Sequence, residues 1–133
     1  IRDRSCILHS PLNPKKEYAY SDLGFILLKF AVEHVTEKSL DQYCQEEFYR
    51  KLGMHHTDFL AHKRLNKNNL VPSCVDKLYR KTELKGYVHD PIAALLGGIA
   101  GHAGLFSTAE DLAKMMQLYL NGGTYGGEYY FSP

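Results

Sequence analysis

The chain has 133 residues, with 16 Lys+Arg against 15 Asp+Glu, 44% hydrophobic residues and no Trp, which is enough for one domain or part of one. A formal net charge of +1 offers no dense basic face to neutralise phosphates, so nucleic acid is a poor partner, and the hydrophobic content excludes most of the intrinsically disordered class. No apolar run reaches the roughly 18 to 20 residues of a membrane helix, because Lys29 interrupts residues 25–32. With no initiator Met and no leader pattern, the chain is expected to begin inside a longer protein. Cys6, Cys44 and Cys74 are odd in number and widely spaced, and suggest neither a disulfide framework nor a zinc site.

Pro11 and Pro14 make the opening read as loop through Lys16, with structure starting near Tyr18. From residue 22 to about 35 nearly every position is apolar, too broad a stripe for a surface helix, so a buried helix capped by Asp22 or Ser21 is expected. Ser39 with Gln42 reads as a capping box for a second helix, in which Leu40, Tyr43, Cys44, Phe48 and Leu52 recur at helical spacing until Gly53. Residues 54–86 are polar and hold no period, and read as a long excursion. Gly97, Gly98, Gly101 and Gly104 then give a backbone able to bend sharply or approach another backbone closely. Ser107 with Glu110 reads as a capping box for the clearest helix, with Leu112, Met115, Met116 and Tyr119 as one apolar face and Asn121-Gly122-Gly123 as its stop. That face is core, or is left uncovered by loss of the rest of a domain. The tyrosine-rich tail around Gly126-Gly127 reads as a hairpin or as a strand cut off from its partners.

Two kinds of residue could carry chemistry. Tyr20 and Asp22 flank Ser21 at the mouth of the first helix. A phenol beside a cation can lose its proton and serve as a general base, and a side chain two residues on can share the cleft. The structural alternative is a partly buried Tyr20 and an Asp22 that merely caps. The seven histidines include His55-His56, His89 and His102, yet none has helical ligand spacing of the His-Glu-x-x-His kind, so no metal is expected. No Gly-Lys-Ser/Thr ending follows the glycines, which argues against a phosphate loop. No cofactor is expected.

The motifs together resemble the serine beta-lactamase, penicillin-binding protein and esterase superfamily, in its class-C-like branch. Tyr-Ser-Asp-Leu-Gly-Phe at 20–25 resembles the Tyr-x-Asn element opening a helix, and Leu40-Asp41-Gln42-Tyr43, Leu52-Gly53-Met54 and Thr57 resemble the stretch that follows it. Gly-Tyr-Val-His-Asp-Pro at 86–91, the run from Gly97 to Thr108, Asp111-Leu112-Ala113, Leu120-Asn121 and Tyr125-Gly126-Gly127 extend the likeness over most of residues 20–133. Val-His-Asp-Pro with Gly-His-Ala-Gly-Leu-Phe-Ser is similar to the beta-lactamase-like domain fused to family 3 glycoside hydrolases (beta-N-acetylhexosaminidases) in bacteria.

The resemblance implies acyl transfer by a Ser-x-x-Lys nucleophile, the Tyr-x-Asn/Asp element and a Lys/His-x-Gly strand. Three residues beyond Ser5, Ser10, Ser21, Ser39, Ser73 and Ser107 stand Leu8, Asn13, Gly24, Gln42, Asp76 and Glu110, so no Ser-x-x-Lys is present, and there is no Gly-x-Ser-x-Gly elbow. His102-Ala103-Gly104 fits His-x-Gly, but it runs into a capped helix instead of lying on a strand, and is not taken as the third motif. By carry-over, Tyr20 and Asp22 are catalytic candidates, and Ser21 and His102 substrate-binding ones. Asp22 stands where the family commonly has Asn, and a carboxylate accepts but does not donate to a substrate amide.

The expected fold is a mainly α fragment, the helical portion of the α/β beta-lactamase/transpeptidase-like fold. Residues 1–133 form a partial domain: 1–17 loop, 18–53 motif-bearing helices, 54–96 excursion, 97–121 Gly-rich turn and helix, and 122–133 truncated tail. The fragment itself is expected to be inactive, its parent a periplasmic or envelope hydrolase acting on a beta-lactam, a cell-wall peptide or an ester. The expected partners are that small-molecule or cell-wall-derived substrate and the rest of the parent chain, with no nucleic acid and no membrane span. The alternative is a degenerate, non-catalytic module attached to a cell-wall glycosidase.

Overall fold

A computed structural model describes residues 20–132. The expected opening loop, Cys6 and the start near Tyr18 lie outside them. Helix accounts for 42% of the described residues and strand for 15%, so the architecture is helix-dominated and its strands occur only as two-stranded ribbons. Among the described residues no helix is long and apolar enough to cross a membrane.

Helix α1, Leu23–Thr36, forms where the apolar run predicts it, but it is not enclosed. Ile26 and Lys29 are its buried residues, whereas Phe25, Leu28 and Val35 are exposed. Its neighbours among the described residues, α2 (Leu40–Cys44) and the 97–104 segment, cover one side. Lys29 is tolerated in that buried position because its ammonium reaches Glu33 at 3.4 Å and lies 5.1 Å from the centre of the Phe30 ring. The Ser39–Gln42 capping box does not form. Ser39 sits at the cap position without a side-chain cap bond; the Glu33 carboxylate accepts the Leu40 N–H at 2.9 Å, and Gln42 donates to Glu46. The second helix then relaxes into a π-turn over Gln45–Tyr49 before Gly53, at φ +68°, ends it.

The excursion is structured. Strand β1 (Asp58–Phe59), helix α3 (Ala61–Arg64) and the hairpin of β2 (Pro72–Asp76) with β3 (Thr82–Lys85) lead to helix α4 (Pro91–Leu95). Strand β1 pairs antiparallel with β4 (Leu105–Phe106), Asp58 opposite Phe106, which draws the Leu52–Thr57 turn onto the final helix. The tail forms a hairpin of β5 (Thr124–Tyr125) and β6 (Glu128–Tyr129) around Gly126-Gly127.

Helix α5, Ala109–Leu120, begins one residue later than the Ser107–Glu110 pattern predicts. Thr108 is the cap and its hydroxyl accepts the Asp111 N–H at 3.3 Å, while Ser107 is drawn away to Thr57 at 2.7 Å. Thr108→Ala should therefore destabilise the chain by about 1 kcal/mol, measured by urea unfolding, with Ser107→Ala leaving the helix start in place. The buried face also differs from the expected one. Asp111, Lys114, Met115 and Leu118 share a stripe at i, i+3, i+4, i+7, with Asp111 and Leu118 buried, whereas Leu112, Met116 and Tyr119 are exposed. Two charges open the inward stripe, and a reading by hydrophobicity passes over them.

Leu118 joins Tyr49, Leu52 and Met54 in the larger of two clusters, with Phe48, Met115, Tyr125, Tyr130 and Phe131 packed around them. The smaller cluster, Val88, Ala93 and Ala100, lies under the glycine-rich segment.

Candidate functional site

The site is built on the first turn of α1. Asp22 already has helical dihedrals, and its carbonyl accepts the Ile26 N–H at 3.0 Å, yet its carboxylate makes no cap bond. It accepts instead from the Tyr20 hydroxyl at 3.1 Å. Ser21 supplies the local turn, its Oγ accepting the Leu23 N–H at 3.3 Å. Tyr20 is 76% exposed, so the ring is presented at the surface and is not a core aromatic.

The geometry lets a proton pass between the phenol and the carboxylate, or lets the two orient a water.

The 97–104 segment packs on the same helix, at Phe25. Gly101 lies against the α1 backbone so closely that a Cβ there would stand 2.2 Å from the Phe25 carbonyl oxygen. Gly98 and Gly104 take φ of +86° and +110°, and a Cβ on Gly104 would stand 2.4 Å from the Gly98 carbonyl oxygen. The glycines thus fold the segment on itself and seat it on the helix that follows Tyr20 and Asp22.

His102 follows Gly101, and its side chain is 3% exposed. Its Nε2 lies 3.0 Å from Asp90 Oδ1, and Nδ1 has no partner among the described residues. Asp90 also caps α4, accepting the Ala93 N–H at 2.7 Å. Burial pushes the Asp90 carboxyl up, but the Ala93 N–H and His102 together hold it below its ordinary value. As an acceptor, it calls for a proton on Nε2 of His102. The structure therefore brings Tyr20 and Asp22 together, turns Ser21 back on the chain and ties His102 to Asp90. Asp90-Pro91 is a legible helix start, but no local pattern announces its pairing with a histidine twelve residues on. No set of three or more His, Cys, Asp or Glu side chains converges on a metal-sized site among the described residues.

A profile of the Beta-lactamase family matches residues 5–129. The chain belongs to that family. Its similar relatives carry the description "Putative D-alanyl-D-alanine carboxypeptidase": one from Escherichia coli (strain K12) is 41% identical over 134 residues, covering 90% of this chain and 31% of the relative. Another from Escherichia coli O157:H7 is 40% identical over 140 residues, covering 95% and 32%. One from Salmonella gallinarum is 37% identical over 125 residues, covering 85% and 29%. The chain thus spans about a third of the length of these relatives. The octameric penicillin-binding protein homologue from Pyrococcus abyssi superposes with a TM-score of 0.59 at 23% identity, over 83% of this chain and 23% of that one. The likeness shows that the described helices and ribbons follow the beta-lactamase/transpeptidase-like fold.

Proposed function

We propose that these residues are the middle portion of a serine acyl-transfer hydrolase of the cell envelope, acting on cell-wall peptides that end in D-Ala-D-Ala. Supporting this reading are the family membership and the carboxypeptidase names that the relatives carry. The observation that carries it is the exposed Tyr20–Asp22 pair at the mouth of α1, with the hydroxyl 3.1 Å from the carboxylate. The nucleophile and its lysine belong to sequence outside these residues, and Tyr20 serves them as general base or as part of the proton relay. Ser21 shapes the turn. His102, held by Asp90 at 3.0 Å, is the substrate-binding candidate of the glycine-rich segment. Alone, the chain lacks Ser-x-x-Lys and does not turn over substrate.

The second reading is a non-catalytic binding module, attached in the parent to a family 3 glycosidase. It is favoured by Asp22 in place of Asn, because a carboxylate that already holds the Tyr20 hydroxyl is poorly suited to grip a substrate amide.

Intact-mass labelling with a fluorophosphonate and a fluorescent penicillin separates the two. A version extended at both ends should gain one adduct, this chain none, and Tyr20→Phe should slow labelling about 100-fold, as for loss of a general base. If the extended version stays unlabelled by both probes, the binding module is the better description. An adduct on the short chain would place the nucleophile among its own serines and refute the fragment reading.

A further inference from the structure

Strand β2 carries a half-buried Cys74 whose Sγ lies 2.9 Å from Nδ1 of the exposed His89, on the segment before α4. The two are held together from outside the pair. The Arg80 guanidinium donates to the Val88 carbonyl at 2.7 Å and to the His89 carbonyl at 2.8 Å, while its Nε reaches Asp76 at 2.9 Å. The backbone bearing the imidazole is thus pinned to the hairpin bearing the thiol. On the His89 side of the pair lies a shallow cavity of about 460 Å³, to which His89 contributes and Cys74 does not, with Asp76, Lys77, Tyr79 and Arg80 among its walls. The hairpin is basic, with Lys77, Arg80, Lys81 and Lys85 against Asp76 and Glu83.

We propose that Cys74 and His89 form a reactive thiol pair that exchanges with small anionic disulfides, a modification site independent of the hydrolase reading. An imidazole within hydrogen-bond reach can take the proton that keeps a thiol unreactive, and an electropositive, partly exposed setting favours the thiolate. The Cys74 proton passes to His89 Nδ1, and the sulfur attacks one sulfur of the disulfide. A new S–S bond forms as the old one breaks, and the departing thiolate takes the proton from the imidazolium. The disulfide supplies the oxidising equivalents. Cys44 is the internal contrast: it is packed beside the larger core cluster, and burial pushes its thiol up.

The ionisable groups around the pair are Asp76, Lys77 and Arg80 on the hairpin, Glu83 and Lys85 flanking Leu84 opposite Cys74, and Asp90 next to His89. Asp76 is engaged by Arg80 and Asp90 by His102, so His89 is the base within reach of the sulfur.

The test is treatment of the full chain with oxidised glutathione, followed by intact mass and peptide mapping. The expected first adduct is on Cys74, forming at pH 7 about tenfold faster than any on Cys44. His89→Asn should slow it about tenfold at pH 7 and leave it unchanged near pH 10, where a thiol ionises unaided. His89→Gln should behave the same, and cystamine, a cationic disulfide, should react more slowly than oxidised glutathione. First adducts on Cys6 or Cys44, or an unchanged rate in both His89 variants, overturn the pair. So does equal slowing at both pH values, which marks a structural role for His89, and cystamine reacting as fast overturns the anionic preference.

Discussion

Replacing Asp111 with alanine is expected to destabilise the chain by about 3 kcal/mol, the range for losing one partner of a buried, hydrogen-bonded ion pair. Asp111 is 1% exposed and is the point at which two distant stretches meet. Its Oδ2 accepts the His56 N–H at 2.8 Å and the Thr57 hydroxyl at 3.0 Å, and its Oδ1 accepts from Lys114 at 3.1 Å. Lys114 donates in turn to the Gly53 carbonyl at 2.6 Å. One carboxylate thus fastens the Gly53–Thr57 turn to α5. Alanine leaves the His56 N–H without its acceptor and removes the counter-charge of Lys114, while the Thr57 hydroxyl keeps only Ser107 and the ammonium loses its closest carboxylate.

The same network sets a pH dependence. Burial pushes the Asp111 carboxyl up, but the bonds from His56, Lys114 and Thr57 outweigh it and hold it below its ordinary 3.8. The folded chain therefore binds fewer protons at this group than the unfolded chain does. The stabilisation is complete above the unfolded value of about 3.9 and is lost as pH falls through the native one. Urea midpoints between pH 3 and 7 should fall more steeply in acid for the wild type than for Asp111→Asn. Parallel curves would mean that this carboxylate does not carry the linkage.

The existence of α1, α2 and α5 was legible because composition and capping residues act locally; their buried faces were not, and the short α3 and α4 fell within the stretch read as an excursion. The apolar run at residues 22–35 announces α1, but burial is decided by what covers a helix, and here α2 and the glycine segment take one side. The inward stripe of α5 begins with Asp111 and includes Lys114, which read as surface residues until their partners, fifty or more residues away in sequence, are known. The hairpin at Pro72–Lys85 escaped notice for a related reason. Its strands are mostly exposed, so they show no alternation, and the turn is made by the Asp76 carboxylate accepting the N–H groups of Leu78 and Tyr79. Within the site, the nearness of Tyr20 and Asp22 followed from their spacing. The direction of their hydrogen bond did not.

Gly101→Ala should give the largest effect on the site itself. The added Cβ would stand 2.2 Å from the Phe25 carbonyl oxygen, far inside contact distance, and the obstacle is backbone, which cannot rotate aside. Either the 97–104 segment lifts from α1 or the first turn of α1 shifts. The strain should cost about 2 kcal/mol, typical of overpacking a close contact. Both outcomes move Tyr20 and Asp22 relative to the glycine segment, and a displacement of about 1 Å at a positioned catalytic group can cost about 100-fold in rate. In the extended version, fluorophosphonate labelling should fall by that order while a urea-unfolding transition persists. Gly24→Ala is the matched control. That glycine lies in α1 with nothing within 4 Å of a new Cβ and no positive φ, so alanine there should be neutral or stabilising by about 1 kcal/mol. If the two variants label alike, the seating of Gly101 on Phe25 has no bearing on the chemistry, and the glycine-rich segment is scaffold alone.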